Sequence, residues 1–367
     1  MPTQHTRQNQ HHPWLSGVLL VAAATAVQAA PPPAYHLVKE IPLTGDTGWD
    51  YLSIDSQARR LYVTRGTHIA VVDIDTNTVV GDIADTPGVH GFAIAPELGK
   101  GFSSNGTESK VSVVDLKSLA TVAKIGTEEG PDAILYEPGH REVYAFNGRA
   151  KSVTIISAAS GQVVESLPLP GKPEFPAVDP DDGRVFVNIE DRNEVVAIDT
   201  GTHKIVNEWP IAPGESASGM AFDATHHRLF LGCENHLMLM LDSNSGKVVG
   251  SVPIGTGVDA NAFDNQLQLA FSSNGEGTVT IAREAAPDKL VVVQTLRTQP
   301  SARTMALDPK THRIYLSAAT LQPTQANAPA TEAQRRKSHE EPQARRGATG
   351  HRRATVPGTF KVLVYEP

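Results

Sequence analysis

An aromatic residue returns seven times at one phase of a repeat: Tyr62, Phe102, Tyr144, Phe186, Phe230, Phe271 and Tyr315. Each stands seven residues after a turn-starting residue, in order Asp55, Ala95, Glu137, Asp179, Asp223, Asp264 and Asp308. Successive spacings of these turns are 40, 42, 42, 44, 41 and 44 residues. A period of this length marks one supersecondary unit, which buries its apolar face only by stacking on its neighbours. The chain has 367 residues, and the repeat argues for one array of seven like units rather than several unrelated domains.

A second marker keeps the same period. Val71-Val72-Asp73, Val113-Val114-Asp115, Ala197-Ile198-Asp199 and Leu239-Met240-Leu241-Asp242 each close an alternating strand. Polar turns follow, such as Ser243-Asn244-Ser245-Gly246, and then short strands such as Lys247-Val248-Val249-Gly250. Asp, Ser, Asn and Gly are the residues that tight turns between strands use. Each unit therefore holds four antiparallel strands: a before the first turn, b with the aromatic, c ending in Asp, and d. No segment shows helical periodicity. A β-solenoid would need shorter repeats. The expected fold is all-β, a seven-bladed β-propeller with strand a lining the central channel and strand d outermost.

The last unit supplies strand a near 304–307, b near 313–317 and c near 360–365, and then the chain ends without a strand d. The segment Tyr35-His36-Leu37-Val38-Lys39-Glu40-Ile41-Pro42-Leu43 resembles the other d strands. It is expected to complete the last blade and so close the ring.

Residues 1–30 read as a secretory signal peptide. Arg7, His11 and His12 precede an apolar run from Trp14 to Val27, and Val27-Gln28-Ala29-Ala30 is a small-residue cleavage pattern. The run is short for a membrane span, so the mature chain, 31–367, is expected to carry no transmembrane segment and to reside in the periplasm or outside the cell. The lone Cys233 allows no intramolecular disulfide and reads as a buried small residue. Residues 318–358 interrupt the last blade with Ala, Pro, Thr, Gln and Arg and few large apolar side chains. This composition reads as a flexible basic loop. Seven basic residues against three glutamates lie in 322–357, so with a net charge of −8 overall the rest of the chain is near −12. An acidic body of this kind disfavours duplex DNA, and the insert lacks aromatics for base stacking. Nucleic acid is not an expected partner.

At this point the sequence resembles a known family. Tyr62-Val63-Thr64-Arg65 is one residue away from the YVTN signature of YVTN-type propeller repeats, and Phe102-Ser103-Ser104-Asn105-Gly106 and Phe271-Ser272-Ser273-Asn274-Gly275 hold the same position in their repeats. The Pro-rich insert followed by Val356-Pro357-Gly358-Thr359-Phe360-Lys361-Val362-Leu363-Val364-Tyr365 looks like the end of YncE-like proteins. The resemblance covers about 35–367. It implies a propeller and export, and leaves activity open, since relatives range from surface-layer proteins to subunits of quinone-containing dehydrogenases.

Aligning the repeats places one residue per blade at one mouth of the channel: Asp50, His90, Asp132, Glu174, Ser218, Asp259 and Arg303. Four carboxylates, a histidine and an arginine would converge there. Such a group could hold a protein or small-molecule ligand, or a hard divalent cation such as Ca²⁺; no resident cofactor is expected. A second ring, from the ends of strand b, comprises Arg65, Asn105, Asn147, Ile189, Cys233, Asn274 and Ala318. Its Asn105, Asn147 and Asn274 are candidate ligand contacts, although each precedes glycine and reads first as a turn residue able to take positive φ. Trp49 beside Asp50 reads as packing between blades, and His226-His227 as an exposed turn on the opposite face. No G-x-S-x-G, Walker, zinc-spacing, C-x-x-C-H or Rossmann pattern occurs. The favoured expectation is a monomeric binding protein. A lactonase-type hydrolase is one alternative, with Glu174 as base, His90 as proton relay and Arg303 holding the oxyanion. An accessory subunit of a periplasmic dehydrogenase is the other.

Overall fold

The computed structural model describes residues 34–45, 48–323 and 354–367, with Met1 and Thr3 besides. The chain divides into two units, Met1–Pro32 and Pro33–Pro367, and every strand lies in the second. The signal-peptide assignment and the basic clusters of the insert, Arg335 to Arg353, fall outside the described residues.

Seven four-stranded antiparallel sheets form the ring. Blades 1 to 6 occupy 52–83, 89–126, 131–168, 173–210, 217–253 and 258–297, each in the order a-b-c-d. Blade 7 takes strand a from Met305–Asp308, b from Arg313–Ala318, c from Lys361–Glu366, and d from the amino-terminal His36–Pro42. The helical turns among the described residues are two short 3-10 turns, and none of these residues forms a helix long and apolar enough to cross a membrane.

The seven repeat aromatics are all fully buried. Each stands on strand b and packs among residues of the adjoining blade. Tyr144 and Phe146 of blade 3 meet Val185, Val187 and Val196 of blade 4, and Phe186 of blade 4 meets Leu229 and Leu231 of blade 5. Burying each such side chain stabilises the ring by about 1.5–3 kcal/mol. This inter-blade packing is why one aromatic per repeat is retained at a fixed phase: it is the surface on which the next blade stacks. The solvent-facing d strands are correspondingly open, with Val79, Val164 and Val206 exposed.

The recurrent aspartates are turn acceptors. Asp55 Oδ1 receives the backbone N–H groups of Gln57 and Ala58, and Asp264 does the same for Gln266 and Leu267. After strand c, Asp73 receives the N–H of Asp75 and Thr76 together with the Thr76 hydroxyl. Bonds of this kind hold the carboxyls of Asp73 and Asp199 below their ordinary range. Several turn aspartates also reach the next blade, which the repeat pattern alone does not show. Asp308 of blade 7 accepts from Ser56 and Arg59 of blade 1 at 2.6 and 2.7 Å, and His312 pairs with Asp264 at 2.7 Å.

Closure follows the expected pairing, His36 opposite Glu366 and Pro42 opposite Lys361. Ile41 and Leu43 are buried among Tyr315, Val362 and Val364. Tyr35 exchanges two hydrogen bonds with the Gln294 side chain of blade 6, and its hydroxyl donates to the carbonyl of His312. Arg65 of blade 1 is fully buried, stacks on Phe360 at 3.7 Å, and donates to the carbonyls of Thr44 and Gly45. It thus pins the chain as it leaves the closing strand.

Candidate functional site at the channel mouth

A recurrent irregularity aims the mouth residues. The a–b ladder slips between Val89 and Phe92, Pro131 and Ile134, Pro173 and Pro176, Ala217 and Met220, and Val258 and Ala260. His90, Asp132, Glu174, Ser218 and Asp259 lie at these slips. A bulge bends the strand and redirects the side chain it carries. Polar residues on strand b then fix the bend. Thr64 Oγ1 accepts from the N–H of Asp50 and donates to the carbonyl of Tyr51. Ser104 of blade 2 donates to the carbonyl of Asp132 in blade 3, and Ser273 of blade 6 to that of Arg303 in blade 7. Asn188 serves Ser218 in the same way. The repeated Ser-Ser-Asn-Gly run therefore clamps the mouth residue of the neighbouring blade, a role that strand spacing does not reveal.

The mouth residues of six blades form one arc of polar contacts. Ser218 donates to Asp259 at 3.3 Å, and Arg303 bonds to Asp259 through Nε and faces Asp50 through Nη2 at 3.7 Å. His90 Nδ1 lies 2.6 Å from Asp50 and 3.4 Å from Asp132. Glu174 of blade 4 is engaged separately by Lys172 at 2.5 Å, and Lys172 also reaches Glu190 at 2.6 Å. Lys172 escaped the sequence reading because it stands two residues before the repeat position.

Tyr51 escaped it too. The position after each mouth residue is Gly91, Ala133, Gly219, Ala260 or Thr304 in five blades, but Tyr51 in blade 1 and Phe175 in blade 4. These two rings meet edge to face at 4.9 Å. Comparing the seven positions would have singled them out. Tyr51 is 7% exposed, and its hydroxyl lies in the field of Asp259, Asp50, Glu174 and Asp132.

Burial governs the protonation of the group. It raises Tyr51 well above the ordinary phenol range, and the four carboxylates raise it further. Glu174 is pushed up to about 8, first by burial and then by Asp132, against the pull of Lys172. Asp132 is raised to about 6 by burial, with His90 opposing and Asp50 adding to it. Its side chain is 28% exposed. Arg303 is held charged: burial alone would lower it, and Asp259 and Asp50 more than offset that.

Asn105, Asn147 and Asn274 do not join this arc. All three are fully buried and bond within their own blades: Asn105 to Glu108 and Ser112, Asn147 to Ser152 and Thr154, Asn274 to Thr278 and Thr280. They brace the b–c turns. The expectation of positive φ at Asn-Gly is corrected as well, because the left-handed residue of these turns comes later, at Ser109, Lys151 and Gly277. Gly106 is required by a close approach instead. A Cβ there would lie 2.9 Å from His90 Nε2 and 3.2 Å from the carbonyl oxygen of Pro131.

Trp49 packs on Phe360 at 5.2 Å. With Arg303, Gly257, Gly275, Ser301 and the root of the insert at Leu321, Ala354 and Thr355, it also lines a cleft of about 380 Å³ beside the mouth. Cys233 is buried, and burial raises its thiol to about 12. No family model matches the chain, and no curated protein matches it.

Proposed function

We propose that the protein is an exported interaction protein that captures a cationic, hydrogen-bond-donating group of a peptide or protein partner at the channel mouth. The observation that carries this reading is the gathering of Asp50, Asp132, Glu174 and Asp259 around the buried Tyr51, with Asp50 and Asp132 at 2.6 and 3.4 Å from His90. Two of these carboxyls hold protons up to about 6 and about 8. A bound cation would replace those protons, much as an opposite charge restores ionisation to a buried carboxyl. The adjoining cleft with Trp49 offers an apolar and aromatic surface for the remainder of the ligand. The YVTN-like Tyr62-Val63-Thr64-Arg65 and the apolar amino-terminal run support membership among YncE-like propellers and a location beyond the cytoplasm.

The hydrolase alternative draws less support, because its oxyanion holder, Arg303, is already engaged by Asp259 and Asp50.

Calorimetric titration with lysine- and arginine-containing peptides tests the proposal. Binding at neutral pH should release protons to the buffer. Asp132→Asn and Glu174→Gln should each weaken it at least tenfold. If no cationic peptide binds, or if both variants bind undiminished, the proposal is wrong. Turnover of simple lactones that Glu174→Gln and Arg303→Ala both abolish would establish the hydrolase reading in its place.

A further inference from the structure

On the opposite face, the a–b turn of blade 5 reads Asp223-Ala224-Thr225-His226. His226 Nδ1 lies 2.7 Å from Asp223 Oδ2 and 3.5 Å from Glu284 Oε2 of blade 6. The latter contact exists because the c–d hairpin of blade 6 is long. Its strands Thr278–Ala286 and Lys289–Arg297 have nine residues each, against six and six in blade 3. The extra length lays the hairpin tip over the neighbouring turn, where Arg228 holds the carbonyl of Pro287. Glu284 is thereby carried into protein with its side chain only 6% exposed, and its Oε2 receives no hydrogen bond. A buried carboxylate oxygen without a donor is costly unless something else meets it. Asp223 is fully buried, whereas His226 is half exposed and gives access from solvent.

We propose that Asp223, His226 and Glu284 form a binding site for a divalent first-row transition-metal ion of the Zn²⁺ type, bridging blades 5 and 6. One imidazole and two carboxylates are a ligand set that suits such an ion better than Ca²⁺ or Mg²⁺, which take oxygen ligands. Each ligand atom lies within 4.8 Å of the others. Around a tetrahedral ion with bonds near 2.1 Å the donors sit ~3.4 Å apart, so small side-chain rotations complete the set, with water in the remaining position. Nδ1 would exchange its hydrogen bond to Asp223 for the metal, its proton moving to Nε2, and any proton on Glu284 would be released to solvent. Two features distinguish this cluster from its neighbours. Asp179, Asp182 and His227 also approach one another, but Arg184 reaches Asp182 at 2.8 Å and Asp179 at 3.5 Å, whereas Arg228 stays 3.9 Å from Glu284 Oε1 and bonds to Asp242 at 2.6 Å instead. Glu137 and His140 repeat the Asp223–His226 spacing at 3.2 Å, but none of the described acidic or histidine side chains completes a set of three around them.

The test uses full-length protein stripped with chelator and titrated with Zn²⁺ by calorimetry and with Co²⁺ by visible absorption. One ion per chain is expected, with a Co²⁺ spectrum of low coordination number and a higher thermal midpoint. His226→Ala and Glu284→Gln should each weaken binding at least tenfold, whereas His140→Ala should leave it unchanged. Thermal melting without metal checks that each variant is folded. Absence of binding overturns the proposal. So does binding that persists in both His226→Ala and Glu284→Gln, and so does binding lost in His90→Ala alone, which would place the ion at the channel mouth.

Discussion

Replacing Ile41 by alanine tests whether the amino-terminal strand holds the whole ring or merely decorates it. Ile41 is 3% exposed and stands opposite Val362, within a cluster that includes Leu43, Tyr315 and Phe360. Truncating a buried isoleucine to alanine costs about 2–5 kcal/mol through lost transfer energy and the cavity left behind. A value near 3 kcal/mol, about the middle of that range, suits a site walled by residues of both blade 7 and blade 1. Unfolding entropy is about 2.1 cal/mol/K per residue, so roughly 300 ordered residues give ~0.6 kcal/mol/K and a 3 kcal/mol loss lowers the thermal midpoint by about 5 °C. Scanning calorimetry should show one transition displaced as a whole, because separating this strand leaves blade 7 with three strands and opens the ring. Val164→Ala, on the exposed outer strand of blade 3, should change stability by less than ~0.5 kcal/mol. If Ile41→Ala melts within 1 °C of the unaltered protein, or if an early separate transition appears while the main one stays put, the strand is not integral to ring stability and the closure argument fails.

Stability should also depend on pH in a direction set by the mouth. Glu174 and Asp132 keep their protons to about 8 and about 6 in the folded protein, above the values of about 4 that they take in an unfolded chain. The folded state therefore binds more protons across that window, so stability is fullest below it and falls as pH rises through it. Melting between pH 5 and 8 should show a declining midpoint that Glu174→Gln flattens; a midpoint rising over this range in the unaltered protein would contradict the assignment. Tyr51→Phe keeps the ring against Phe175 and removes only a buried hydroxyl that lies in the field of four carboxylates, so chemical denaturation should find it no less stable than the parent. Cys233, buried with its thiol raised to about 12, should react with a thiol reagent only at the rate of unfolding; rapid labelling of native protein would count against its placement in the core.

The sevenfold aromatic period was enough, with turn chemistry, to determine the blade count, the four strands of each blade and the completion of blade 7 by 36–42, because these depend on local alternation and on a repeated unit that cannot bury itself alone. It also pointed to Ser218, Asp259, Arg303, Asp50, His90 and Asp132 as near neighbours, since like units in a ring bring like positions to one face. Tertiary structure decided the rest. The arc from Ser218 through Asp259, Arg303, Asp50 and His90 to Asp132 depends on bulges and on hydroxyls donated from adjacent blades. The meeting of Tyr51 with Phe175 depends on two blades far apart in sequence facing each other across the channel. The burial of Asn105, Asn147 and Asn274 depends on the acceptors that the b–c turn and strand c place beside them. The approach of Glu284 to His226 arises from a hairpin only a few residues longer than its counterparts. Repeat spacing fixes where a backbone position lies in a blade, but the direction of a side chain and its desolvation are set by what the neighbouring blade places against it.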